Sequence, residues 1–179
     1  SSSLVGSEMC IRDRHIRPAA FYEKQNIELK LGVRVTSINR DKQYVDLDNG
    51  ESLDYTYLCL ATGTRARRLD MLPGADLDGI YYLRTVDDID KIAASLSKVK
   101  KAVIVGGGYI GLETAASLRK KNIEVTVIEA VDRILQRVTA PVMSEFFARV
   151  HREEGVTVLE GTGLGEFLGS DGYVNGIKT

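Results

Sequence analysis

Residues 102–129 carry an ordered series of features that few folds accommodate. Ala102-Val103-Ile104-Val105 is a short apolar run, expected as a buried strand. Gly106-Gly107-Gly108-Tyr109-Ile110-Gly111 follows directly and fits G-x-G-x-x-G. The spacing then predicts a helix over Tyr109–Asn122 and a second strand over Glu124–Glu129, whose final acid lies 18 residues beyond Gly111. Glycine clusters alone mark many turns, but strand, turn, helix, strand and acid in this order form a dinucleotide-binding fingerprint. Gly106 allows the tight turn out of the strand. Gly108, lacking a Cβ, lets the backbone approach a pyrophosphate, and Gly111 lets the helix pack close to the sheet, helped by Ala115 and Ala116. The helix start, with free N–H groups and partial positive charge, holds phosphates. Glu129 is suited to accept hydrogen bonds from a ribose 2′-OH; Arg133, Lys120 and Lys121 are the nearby cations that could instead favour a 2′-phosphate. A glycine-rich turn in an α/β domain without a nucleotide is the alternative.

Composition narrows the rest. Among 179 residues, 24 basic and 25 acidic side chains leave a formal charge of −1, so no electrostatic field favours nucleic acid or an anionic membrane. The longest run free of charged groups, Ala102–Leu112, is far too short to span a bilayer. Two cysteines without C-x-x-C spacing and two separate histidines offer neither a disulfide framework nor a metal site.

Elsewhere, Pro18 suits the first turn of a helix over Ala19–Gln25. Ile27–Leu29, Val33–Asn39, Tyr44–Leu47 and Tyr55–Leu60 read as a small antiparallel meander, with turn signals at Asp41-Lys42 and Asp48-Asn49-Gly50. Its last, buried strand, with Cys59 as a small core residue, runs into Ala61-Thr62-Gly63. Arg65 to Gly79 reads as a linker. Thr85 is placed to cap a helix carrying Asp87 and Asp88 in its first turn. Pro141–Glu154 is predicted helical with Val142, Phe146, Phe147 and Val150 on its apolar face. Val156–Leu159 is a third strand and Tyr173–Ile177 begins a further one. Alternating strands and helices predict an α/β fold with a parallel sheet.

The first residues read differently. Leu4 to Asp13 corresponds to the translation of a transposase adapter used in shotgun sequencing, with Arg14 compatible with the leftover bases. Residues 1–14 are therefore expected to be non-native, and the natural N-terminus to be missing.

A meander ending in Ala-Thr-Gly about 40 residues before a dinucleotide fingerprint resembles the pyridine nucleotide–disulfide oxidoreductase family, flavoproteins in which an NAD-binding domain is inserted into an FAD-binding domain. Arg17–Tyr22, Tyr82–Thr85, Gly106–Glu113, Arg137–Pro141 and His151–Val156 are similar to the NADH-dependent ferredoxin reductases of oxygenase systems. The resemblance implies a truncated FAD-binding domain over residues 15–66 and a Rossmann-type NAD-binding domain over 67–179. It implies FAD contacts at Val35, Ala61, Thr62, Gly63 and Arg84. NAD contacts are implied at Gly106, Gly107, Gly108, Tyr109, Ile110, Gly111 and Glu129. Glu113 matches an acid near the nicotinamide and flavin, or is simply an acid in a helix's first turns. Tyr109 matches a tyrosine covering the nicotinamide pocket, or is an aromatic packed at a strand–helix corner. The implied activity passes electrons from NADH through FAD to a [2Fe–2S] ferredoxin in the cytoplasm. The chain alone is expected neither to hold FAD nor to turn over. Family members with another acceptor (rubredoxin, oxygen, a disulfide) and a non-catalytic NAD- or FAD-binding signalling module share these features.

Overall fold

The computed structural model describes residues 17–179, and the segment read as adapter-derived lies outside them. The chain divides into two units, Ser1–Thr62 and Gly63–Thr179, each with its own architecture.

In the first unit, Pro18 stands at the N-cap of α1, Ala19–Lys24. Strands β1 (Val35–Asn39), β2 (Tyr44–Leu47) and β3 (Ser52–Asp54) form an antiparallel sheet in the order β1-β2-β3. The turns fall where expected, with Gln43 and Gly50 at positive φ. Asp46 at the centre of the sheet accepts hydrogen bonds from Ser37 on β1 and Ser52 on β3. These hydroxyls hold its carboxyl below the usual carboxylate range. Two expectations fail here. The third strand is Ser52–Asp54, not Tyr55–Leu60, and Ile27–Leu29 is not a strand. Residues 55–60 are not buried either: Tyr57 is 93% and Leu60 68% exposed, and Cys59 is exposed where a core residue was expected. An apolar run indicates suitability for burial, but a strand also needs a partner for its N–H and C=O groups. Among the described residues only the Tyr55 N–H finds a backbone partner, the Gln43 carbonyl at 2.8 Å, and nothing pairs with residues 56–60.

In the second unit, β4 (Lys101–Val105), β5 (Glu124–Ile128) and β6 (Val156–Leu159) make a parallel sheet in the order β4-β5-β6. They are linked by α3 (Tyr109–Arg119) and α4 (Pro141–Glu153). Ahead of them, α2 (Val86–Ser95) begins with a capping box in which Thr85 and Asp88 satisfy each other's backbone N–H groups. The core joins Leu112, Ala115 and Leu118 of α3 to Val125 and Val127 of β5, Val156 and Val158 of β6, Ala148 of α4, and Ile134 and Leu135. A hairpin of β7 (Glu166–Ser170), which the sequence reading lacked, and β8 (Tyr173–Lys178) follows. Residues 65–79 are not a free linker. Pro73 O accepts from Phe167 N, while Asp78 exchanges backbone bonds with Gly172 and Val174, so the segment is strapped to the hairpin.

Three local expectations are corrected. Helix α3 ends at Arg119 because the chain turns at Asn122, which has φ +60°. Strand β4 is buried on one face only: Ala102 and Ile104 pack against the core, while Val103 and Val105, on the opposite face, are exposed. On α4 the packed positions are Ser144 and Ala148, one turn apart, with Phe147 partly covered; Val142 and Phe146 face outward. No helix of the described residues is long and apolar enough to cross a membrane.

Candidate dinucleotide-binding site

The glycine-rich turn is built from backbone outward. Gly106 leaves β4 with φ +111°, a conformation open essentially to glycine, and its N–H donates to Ile128 O at 2.8 Å. Gly111 cannot carry a side chain because a Cβ there would overlap the Gly106 carbonyl oxygen and touch Ile104. The helix therefore approaches the turn as closely as the strand, as the motif implies. Gly107, an unconstrained position of the motif, is as tightly held: a Cβ would meet Ile134 Cγ2 at 2.5 Å and Glu129 Cβ at 3.3 Å. Gly108 is the contrast, with no protein atom within 4 Å of where its Cβ would sit. The turn is thus packed tightly at Gly107 and Gly111 and open at Gly106 and Gly108.

Helix α3 starts on that open side. Its N-cap is Gly108, which has no side chain to satisfy the first N–H groups, and no acidic residue lies in the first turn. Uncapped N–H groups with an unopposed helix dipole attract an anion. Tyr109 is 50% exposed and Ile110 is exposed beside it. Glu113, one turn on, is exposed as well.

Glu129, immediately after β5, is part-buried. Its Oε2 accepts the Gly107 N–H at 2.8 Å and its Oε1 the Val131 N–H at 3.1 Å. Each oxygen has a second lone pair for a diol. The acid therefore fastens the glycine turn as well as standing ready for a sugar, and only the second role was read from the sequence. Arg133 does not pair with Glu129. Its Nη1 donates to Thr139 O (3.0 Å) and Ser144 Oγ (2.6 Å), and its Nη2 to Gln136 O (3.1 Å).

The loop after β5 was not anticipated as part of the site. Leu135 is buried with φ +54°, a left-handed conformation that costs a bulky residue roughly 1–2 kcal/mol. Its N–H donates to Gly107 O at 2.9 Å, and its carbonyl accepts from Val138 N, Thr139 N and Thr139 Oγ1. Ile134 N donates to Glu160 Oε1 at 2.9 Å, whose other oxygen takes Arg152. One sequence signal pointed here: Gly107, the middle of three consecutive glycines, at a position the motif leaves free.

Of the residues matched to FAD, two lie together. Arg84 Nε donates to Thr64 O at 3.2 Å, and its guanidinium would stand 3.6 Å from a Cβ on Gly63, whose φ is +72°. Ala61 and Thr62 are exposed in the irregular end of the first unit, and Val35 opens β1, also exposed.

A parallel β-α-β-α-β unit with an open glycine at an uncapped helix start and an acid closing its second strand is a dinucleotide-binding α/β domain. The chain belongs to the pyridine nucleotide-disulphide oxidoreductase family, whose model matches residues 5–179. It is 45% identical to a ferredoxin–NAD(P)(+) reductase of Sphingomonas sp. over 91% of its own length and 39% of that protein. With putidaredoxin reductase of Pseudomonas putida it shares 42% identity over 90% of the chain and 39% of the relative. The crystal structure of the covalent putidaredoxin reductase–putidaredoxin complex superposes with a TM-score of 0.79 at 40% identity, covering 93% of the chain and 41% of that chain. The chain thus spans about two fifths of the length of these relatives.

Proposed function

We propose that this chain is part of a flavoprotein that moves electrons from NADH through FAD to a [2Fe–2S] ferredoxin in the cytoplasm. Residues 67–179 are the NAD-binding domain in this reading, and 15–66 the end of an FAD-binding domain. The observation that carries it is the turn at Gly106–Gly111, held tightly by protein at Gly107 and Gly111 and open at Gly108 and the uncapped start of α3. That opening suits a pyrophosphate, and Glu129 beside it suits an unphosphorylated ribose. Supporting the choice of acceptor, relatives at 42–45% identity are named as reductases of ferredoxins.

Bound NADH and FAD supply the hydride and one-electron chemistry, which the protein itself has no need to provide. The chain's residues bind and orient. Gly108 and the first N–H groups of α3 hold the pyrophosphate, and Glu129 holds the adenosine ribose. Tyr109 and Glu113, exposed together on the first turns of α3, lie toward the nicotinamide half. Gly63 with Arg84, and Val35, Ala61 and Thr62, serve FAD. Two measurements test the reading. NADH titrated calorimetrically into the chain should bind, and the whole protein should reduce a [2Fe–2S] ferredoxin with NADH. Reduction of other acceptors but no ferredoxin would remove the acceptor from the reading.

A further inference from the structure

We propose that Arg133 and Ser144, neither of which reaches the nucleotide, are positioning residues for the Gly107–Gly108 turn. The inference rests on the NADH-binding reading of that turn. Ser144 is the one polar residue buried among the described residues, 1% exposed on α4. Its hydroxyl donates to Ile134 O at 2.6 Å and accepts from Arg133 Nη1 at 2.6 Å. The guanidinium also takes Gln136 O and Thr139 O, closing the 133–139 loop from within. Between these anchors the chain is forced through Leu135 at φ +54°. Strain of this kind persists only where surrounding bonds over-determine it, and it gathers at sites that need preorganisation. Here the strained residue aims its N–H at Gly107 O, while Ile134, fully buried, fills the space against Gly107. The path runs from Ser144 to Arg133 and Ile134, through Leu135 to Gly107, and so to Gly108, whose exposed backbone faces the pyrophosphate.

NADH and ADP-ribose are titrated into the 179-residue chain and its Ser144→Ala, Arg133→Gln and Arg133→Lys variants, well below each Tm. Amide exchange is followed by NMR alongside. Ser144→Ala and Arg133→Gln should weaken both ligands equally, on the order of tenfold, the scale of one lost hydrogen bond. Arg133→Lys, which keeps the charge but reaches fewer of the three acceptors, should fall in between. The amides of Gly107 and Leu135 should exchange faster in both weakened variants. Wild-type affinity in Ser144→Ala and Arg133→Gln overturns the inference, even if their Tm falls, because the network would then serve the fold alone. If the unaltered chain fails to bind NADH, the functional reading fails instead. Exchange at Gly107 and Leu135 then decides the coupling: acceleration in the variants upholds it, and no change overturns it.

Discussion

Glu129 and Arg133 stand four residues apart and bear oppositely on the coenzyme. Glu129 is fixed by Gly107 and Val131 where an adenosine ribose would lie, while Arg133 is held by Thr139, Gln136 and Ser144. A 2′-phosphate would thus meet a fixed carboxylate without this guanidinium to offset it. Unit charges ~4 Å apart at an effective dielectric near 20 interact by roughly 4 kcal/mol. Screening and movement reduce this to about 1.5–3 kcal/mol, on the order of a ten- to hundredfold preference for NADH over NADPH. Calorimetric Kd values for both coenzymes, with Glu129→Ala beside the wild type, check it; equal affinities in the wild type would end the argument. Because Glu129 also fastens Gly107, Glu129→Ala should lose NADH affinity as well as selectivity. The glycines separate fold from site. Gly108→Ala, at φ −80° with open space around it, gains from a less free unfolded chain but loses a good N-cap, so it should change stability by no more than about 1 kcal/mol yet weaken NADH binding. Gly111→Ala should lower stability by about 1–3 kcal/mol through overlap with Gly106. Denaturant unfolding and calorimetry on both variants distinguish them, and a Gly108→Ala chain that binds like the wild type would show that no phosphate approaches there.

At the scale of elements, α4 shows how a helix can be legible while its orientation is not. Its start at Pro141 and its length agree with the sequence pattern, but the residues turned inward are Ser144 and Ala148 instead of Val142 and Phe146. The choice came from Arg133 and Ile134, which supply partners for a buried hydroxyl and which no local periodicity contains. In its last turn, half-buried His151 has a pKa pushed below its ordinary 6.5 by loss of hydration. A folded-state pKa below the unfolded one means that the native state resists protonation. Stability is therefore retained above about pH 6.5 and lost as pH falls through the folded-state value. Denaturant midpoints of the chain should decline across that acid range, and a His151→Gln variant should decline less. Identical slopes would clear His151 of the effect.

For the whole molecule, the buried cluster that includes Ile134, Val127 and Ala115 is drawn entirely from the second unit, Gly63–Thr179. Residues 63–179 alone should unfold cooperatively and bind NADH as the 179-residue chain does; a non-cooperative transition would contradict this. Among its described residues the first unit buries only Val45 and Leu47 and leaves Leu31, Tyr57 and Leu60 exposed. These exposed apolar groups should make the full chain self-associate more than residues 63–179, as size-exclusion profiles at rising concentration would reveal. With Val35, Ala61 and Thr62 all exposed, the purified chain should be colourless, and flavin absorbance near one equivalent would oppose that.

The sequence by itself determined the α/β class, the parallel order of strands and helices around the glycine turn, the N-cap at Thr85 and the acid after β5. These depend on local rules: backbone sterics at Gly106, capping at a helix start, alternation in a strand. Tertiary structure alone decided whether an apolar run found a partner strand, as residues 56–60 did not and Val156–Leu159 did. It also decided that Gly107 is as tightly packed as Gly111, that Glu129 holds the turn, and that Arg133 faces inward. The physical reason is common to all of them. Burial, ladder pairing and the satisfaction of a buried polar group are relations between residues distant along the chain, such as Gly107 with Leu135 or Arg133 with Ser144, and neither member of such a pair encodes the other.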